Sequence, residues 1–155
     1  MGNGIHITER DGVFHLSGEL NEYADLSSLL TKTPPLRLNL KEVTRINSIG
    51  IRNLLKFLTG WGDRAFIYEH CSSEFIDQVN MITSLLGPHK QGKIASFYVP
   101  YECPNCEFEK DIFSESAPYK QALASGVWPK QQCPDCHSTL DVMSDSFFSF
   151  LSSAT

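Results

Sequence analysis

Four cysteines in two pairs of identical spacing, Cys103/Cys106 and Cys133/Cys136, are the residues of this chain best suited to chemistry. Each Cys-x-x-Cys can offer two thiolates to one metal ion across a tight turn. The 26 residues between Cys106 and Cys133 are enough to fold back and bring the pairs together, and a longer loop adds little closure entropy. Four protein thiolates make a closed tetrahedral site, which suits a structural Zn²⁺. Iron in the same cage is the rival, and it would make the site a redox centre. A closed site leaves no position for water, so hydrolytic chemistry at the metal is disfavoured. His137, next to Cys136, reads as a surface residue rather than a replacement ligand. The remaining cysteine, Cys71, reads as an inert side chain after a strand. An odd cysteine count with paired Cys-x-x-Cys points to metal rather than a disulfide framework.

Charge narrows the partners. Residues 1–100 hold ten Lys/Arg and ten Asp/Glu, whereas residues 101–155 hold three lysines against eight carboxylates. The whole excess of −5 therefore lies in the cysteine-bearing third. A zinc tetrathiolate would bring it to about −7, which repels a phosphate backbone. Nucleic acid is thus a disfavoured partner, and a basic protein surface a favoured one.

These cysteines need elements to hold them. A unit of 55 residues, 101–155, buries little core alone, and metal binding can supply the missing folding energy. Ahead of it the chain alternates strand and helix signals. Gly12 to Leu16 reads as a strand after a turn at Asp11-Gly12, and Asn21 to Leu30 as a helix with Asn21 as N-cap. Pro34-Pro35 breaks the chain. Leu36, Leu38 and Leu40 alternate with polar residues, a strand with one buried face. Ile51, Leu54, Leu55 and Leu58 form a helical stripe beginning after Ser48. Ala65 to Tyr68 is a short strand. Ser72 caps a helix bearing Phe75, Val79, Ile82 and Leu86, which Gly87-Pro88 stops. Ile94 to Val99 is the last strand. The expected architecture is α/β: a mixed sheet with helices mainly on one face over residues 1–100, then a small metal-binding module over 101–155.

Two resemblances follow. Cys103-Pro104-Asn105-Cys106 and Cys133-Pro134-Asp135-Cys136 resemble the knuckles of zinc ribbons, although Glu107 and His137 stand where those knuckles often carry glycine. The stretch from Leu36 to Leu55, with Asn47-Ser48-Ile49-Gly50 at its centre, resembles the central segment of STAS domains, found in anti-sigma-factor antagonists and sulfate transporters. Phe14-His15-Leu16-Ser17-Gly18-Glu19-Leu20 resembles that family's second strand. The likeness spans residues 5 to 99. It implies a protein-binding switch whose Ser48 is phosphorylated by a partner, an anti-sigma factor or serine kinase. Asn47, Ser48, Gly50 and Arg52 are then the candidate partner-binding residues. Asn47 stands where the family usually has Asp. Physically, a helix N-terminus at Ser48 favours an anion, and phosphate would add about −1.5 to −2 charges to a near-neutral surface.

No nucleophile elbow, phosphate loop or carboxylate pair is present, so the chain reads as a regulatory binding module rather than an enzyme. With no membrane-length apolar run and no secretory pattern, the expected location is the cytoplasm. The competing reading is a nucleic-acid- or transcription-associated zinc ribbon with the first unit as scaffold. The tail Phe147-Phe148-Ser149-Phe150-Leu151 is expected to pack back on the molecule, the alternative being an exposed anchor. Trp61 and Trp128 are candidates to close the interface between the two units.

Overall fold

The computed structural model describes residues 4–143 and 146–154. It is a mixed α/β protein with two sheets. The first sheet has the order β1-β2-β3-β4-β5, comprising Ile5–Arg10, Val13–Leu20, Leu36–Ile46, Phe66–Glu69 and Lys93–Ile94. β1 and β2 pair antiparallel and the others parallel. The β1–β2 turn passes through Asp11 and Gly12, both at positive φ.

Two helices, α1 (Ser48–Trp61) and α2 (Ser73–Met81), return the chain between parallel strands. Leu54 of α1 and Phe75 of α2 meet Leu16, Leu38 and Tyr68 around one small apolar cavity, so both helices lie on the same sheet face. The alternation in β3 accounts for this. Leu36, Leu38 and Leu40 are buried, while Arg37 points to the other face and pairs with Glu69 at 2.8 Å.

The expected helix from Asn21 to Leu30 is instead a loop ending in a 3-10 turn, Ser27–Thr31. Asn21 Oδ1 accepts from the Tyr23 N–H, and Asp25 Oδ1 from the Ser27 N–H. These local side-chain bonds offer the backbone an alternative to helix. The helix beginning at Ser72 forms as expected through Met81, then tightens into a 3-10 turn, Thr83–Leu86, before Gly87 at positive φ.

The second sheet has the order β7-β6-β8, comprising β6 (Ser96–Glu102), β7 (Glu109–Glu115) and β8 (Asp141–Val142), all antiparallel. β6 runs through residue 100, where the two units were expected to divide. Ile94 and Ser96, expected in one strand, belong to different sheets. Cys71 joins them: its N–H donates to Ser96 O, and its carbonyl accepts from the Tyr98 N–H. Helix α3 (Ser116–Ser125) follows β7, so the segment between the cysteine pairs is strand and helix rather than a plain hairpin.

Phe97 of β6 is fully buried against Tyr119, Phe147, Phe148 and Phe150. The aromatic tail therefore packs back, and Asn80 Nδ2 of α2 donates to Phe147 O at 2.9 Å. One continuous apolar core runs through both sheets. Trp61 lies within the first part, stacked on Phe57 with the Arg64 guanidinium over its ring. Trp128 lies beside Tyr119 and Phe148 in the second. Among the described residues, no helix is long and apolar enough to cross a membrane.

Candidate functional site

The four paired cysteines converge. The sulfurs of Cys103, Cys106, Cys133 and Cys136 all lie within 4.8 Å of one another and could hold a metal ion. Cys103 Sγ is 3.4 Å from Cys136 Sγ, and Cys106 Sγ is 3.6 Å from Cys133 Sγ. A tetrahedral site with metal–sulfur bonds near 2.3 Å requires sulfur separations of about 3.8 Å. The cluster thus fits such an ion with small adjustments, and none of the cysteines is in a disulfide.

Local backbone explains the convergence. Cys103 leaves the end of β6, and its N–H donates to Phe108 O across the first knuckle. The Asn105 N–H points at Cys103 Sγ, 3.4 Å away. In the second knuckle Cys133 donates to Ser138 O and His137 to Cys133 O. His137 sits at φ +65°, the left-handed region that glycine adopts most easily. His137 is exposed and lies outside the metal-capable group.

Sequence reasoning missed the link between the knuckles. Asn105 Nδ2 donates to Ser138 Oγ at 2.6 Å. Nothing in local spacing connects positions 33 residues apart. In the metal-free thiols, hydrogen bonds from the Ser138 hydroxyl and backbone N–H, aided by Cys103, lower Cys136 to about 6. For Cys106 the backbone N–H of Phe108 pulls downward, but the neighbouring thiols and burial prevail and push it up to about 12. Four sulfurs this close cannot all ionise without a cation.

Cys71 is wholly buried, and burial holds its thiol well above the ordinary range. Its burial is complete where the sequence suggests only partial burial after a strand. Its neighbour His70 stacks on Phe113 at 4.7 Å.

The second site is the start of α1. Asn47 is its N-cap, with Oδ1 accepting from the Gly50 N–H at 2.8 Å. Ser48 is the first helical residue and is exposed, as are Asn47, Ile49 and Arg52. Gly50 is buried, and a Cβ there would fall on the carbonyl oxygen of Leu20, far inside van der Waals contact. Leu20 O also accepts from the Asn47 N–H. Glycine at this position lets the first turn of α1 press against the end of β2.

Asn47 also donates through Nδ2 to Glu22 Oε2 at 3.1 Å. Hydrogen bonds from its own backbone N–H and from Asn47 lower the Glu22 carboxyl. An aspartate at position 47 would set two carboxylates together, so the amide suits this neighbourhood. Beside it an open cleft of about 330 Å³ is lined by Glu19, Asn21, Arg45, Asn47 and Glu74.

No family model matches this chain, and no curated protein matches it significantly.

Proposed function

We propose that this protein is a regulatory protein-binding module of the anti-sigma-factor-antagonist type, carrying a structural zinc ion and switched at Ser48. The observation that carries this reading is the start of α1. An exposed serine opens the helix, an Asn side chain caps it, and a glycine seals it against β2. That arrangement, with the strand and helix order around it, supports the STAS-like reading. Phosphate on Ser48 would meet the positive end of α1 and the open N–H groups of its first turn. It would also add charge beside Glu22, which breaks a complementary contact without refolding the domain. The partner is then an anti-sigma factor or a serine kinase in the cytoplasm.

Zinc is the metal that best suits four thiolates at these separations with no open position. Its role is to hold the two knuckles and extend the docking surface, not to catalyse. Cys103, Cys106, Cys133 and Cys136 are its ligands. The acidic character of residues 101–155 favours a protein partner over nucleic acid.

The test is the mass of protein purified from its own cells, under native and denaturing conditions. One bound zinc together with phosphate mapped to Ser48 is expected. An iron-loaded, coloured protein would overturn the structural-zinc reading. Absence of phosphate across growth conditions would overturn the switch and leave a constitutive binder.

A further inference from the structure

An open cleft of about 790 Å³ lies between β6, β8, α3 and the returning tail. Its walls combine two features that neither the metal group nor Ser48 uses. One wall is aromatic. Tyr119 and Phe148 stack at 4.9 Å, and Trp128 lies 5.2 Å from Phe148. The Tyr119 hydroxyl is fixed by that of Tyr101 at 2.7 Å. Trp128 keeps 39% of its surface exposed and Met143 keeps 50%. Such large apolar surface left open in one concavity marks a binding site more often than chance exposure.

The other feature is charge. Glu102 and Asp141 line the same cleft and face each other directly across the β6–β8 ladder. Like charges at directly opposed positions destabilise a sheet. Among the described residues no ion pair or hydrogen bond relieves these carboxylates, and no Lys or Arg lines the cleft. A cation from outside would satisfy both at once.

We infer that this cleft docks a basic peptide segment of a protein partner, with an Arg or Lys side chain laid on the Trp128 ring and its charge between Glu102 and Asp141. Indole is the strongest aromatic partner for a cation, and desolvation in a cleft raises the attraction. The net −5 of residues 101–155 adds long-range steering of a basic chain. A nucleic acid would find the same rings for stacking, but not charges it can approach. The inference rests on the protein-binding reading above but concerns a different surface. The phosphate state of Ser48 does not bear on it, so the two can fail separately.

The test uses the full chain, loaded with its metal, and a fluorescein-labelled nine-residue peptide alternating glycine with arginine and lysine. The control peptide carries glutamate at the basic positions. Anisotropy should rise with the basic peptide only. Trp128 emission should change, while the wholly buried Trp61 stays silent and reports that the fold is intact. Trp128→Ala is expected to weaken binding about tenfold, with Trp128→Phe retaining most of it. Glu102→Gln combined with Asp141→Asn should weaken binding and flatten its salt dependence. Equal affinity for both peptides would overturn the inference. So would unchanged affinity in Trp128→Ala, since that would mean general acidic attraction without the cleft. Displacement of the peptide by a single-stranded oligonucleotide bound at Trp128 would overturn it in favour of nucleic acid.

Discussion

The two sheets are held by different means. In the first, three central strands carry Leu16, Leu36, Leu38, Phe66 and Tyr68 into a core closed by Ile51, Leu54 and Leu58 of α1 and by Phe75, Ile76 and Val79 of α2. In the second, β8 has only two residues, and the two knuckles are irregular chain. Its aromatic contacts gather around Phe97, and the turns that carry the thiols add the small buried side chains of Cys103 and Cys133 together with Leu140 to the core. Hydrophobic burial closes the first part, whereas the far end of the second adds to its smaller core a cluster of four sulfurs and the Asn105–Ser138 bond. A metal held by those sulfurs would let a small unit substitute coordination for core.

Removing the metal is the harshest test of that contrast and has the largest expected effect. With a strong chelator, or with Cys103→Ser and Cys133→Ser, the knuckles should lose their order. Structural zinc contributes on the order of 10 kcal/mol of apparent binding energy in small zinc-dependent folds. Amide exchange should rise sharply at residues 103–108 and 131–140 and remain slow in β3 and α1. Acid should act in the same direction. Thiolates are the metal-binding form of cysteine, so protons compete with any ion held there, and that ion should be retained at high pH and released as pH falls. Uniform melting of both sheets on chelation would show that the shared core around Phe97 makes them one cooperative unit.

The mirror experiment strikes the first sheet alone. Gly50→Ala places a methyl group against the Leu20 carbonyl, where backbone rather than a flexible side chain must move. A loss of about 2–4 kcal/mol is expected, in the upper range for overpacking. Denaturant unfolding should read it, and metal content per chain should stay at the wild-type value. A fully stable Gly50→Ala protein would mean that α1 can slide away from β2, and the tight contact at Ser48 would lose its structural basis.

The difference between the sheets also explains what could be read from residues alone. The stripe Ile51, Leu54, Leu58 and the alternation in β3 express one-sided burial, which local periodicity records. The metal-capable cysteine group is legible because metal chemistry demands a pattern, Cys-x-x-Cys twice, whatever the fold around it. β7 was not legible: Glu109-Lys110-Asp111-Ile112-Phe113 is mostly exposed, so no buried face imposes a period of two. The loop from Asn21 to Leu30 misled because its leucines fall at helical spacing, while Asn21 and Asp25 bind the backbone locally. The cleft at Trp128 draws on β6, α3, β8 and the tail, and no local window contains it.

The smallest effect is the most informative about Ser48, because it separates capping from charge. Asn47 serves α1 through Oδ1 and Glu22 through Nδ2. Asn47→Ala removes both and should cost about 1 kcal/mol, the usual loss for an N-cap. Asn47→Asp keeps the acceptor, since aspartate caps as well as asparagine, but turns the second contact into repulsion between carboxylates. In the wild type, hydrogen bonds from its own backbone and from Asn47 lower the Glu22 carboxyl. Asn47→Asp removes the second and sets a like charge beside it, which shifts Glu22 upward, while both carboxylates stay charged and repel at neutral pH. The repulsion should fade only when Glu22 is protonated, or when salt screens it. Asn47→Asp should therefore fall between wild type and Asn47→Ala in low salt and approach wild type in high salt. A salt-independent loss equal to that of Asn47→Ala would show that the cap itself, not the pairing with Glu22, is disturbed. In that case the asparagine would be no better matched to its surroundings than an aspartate.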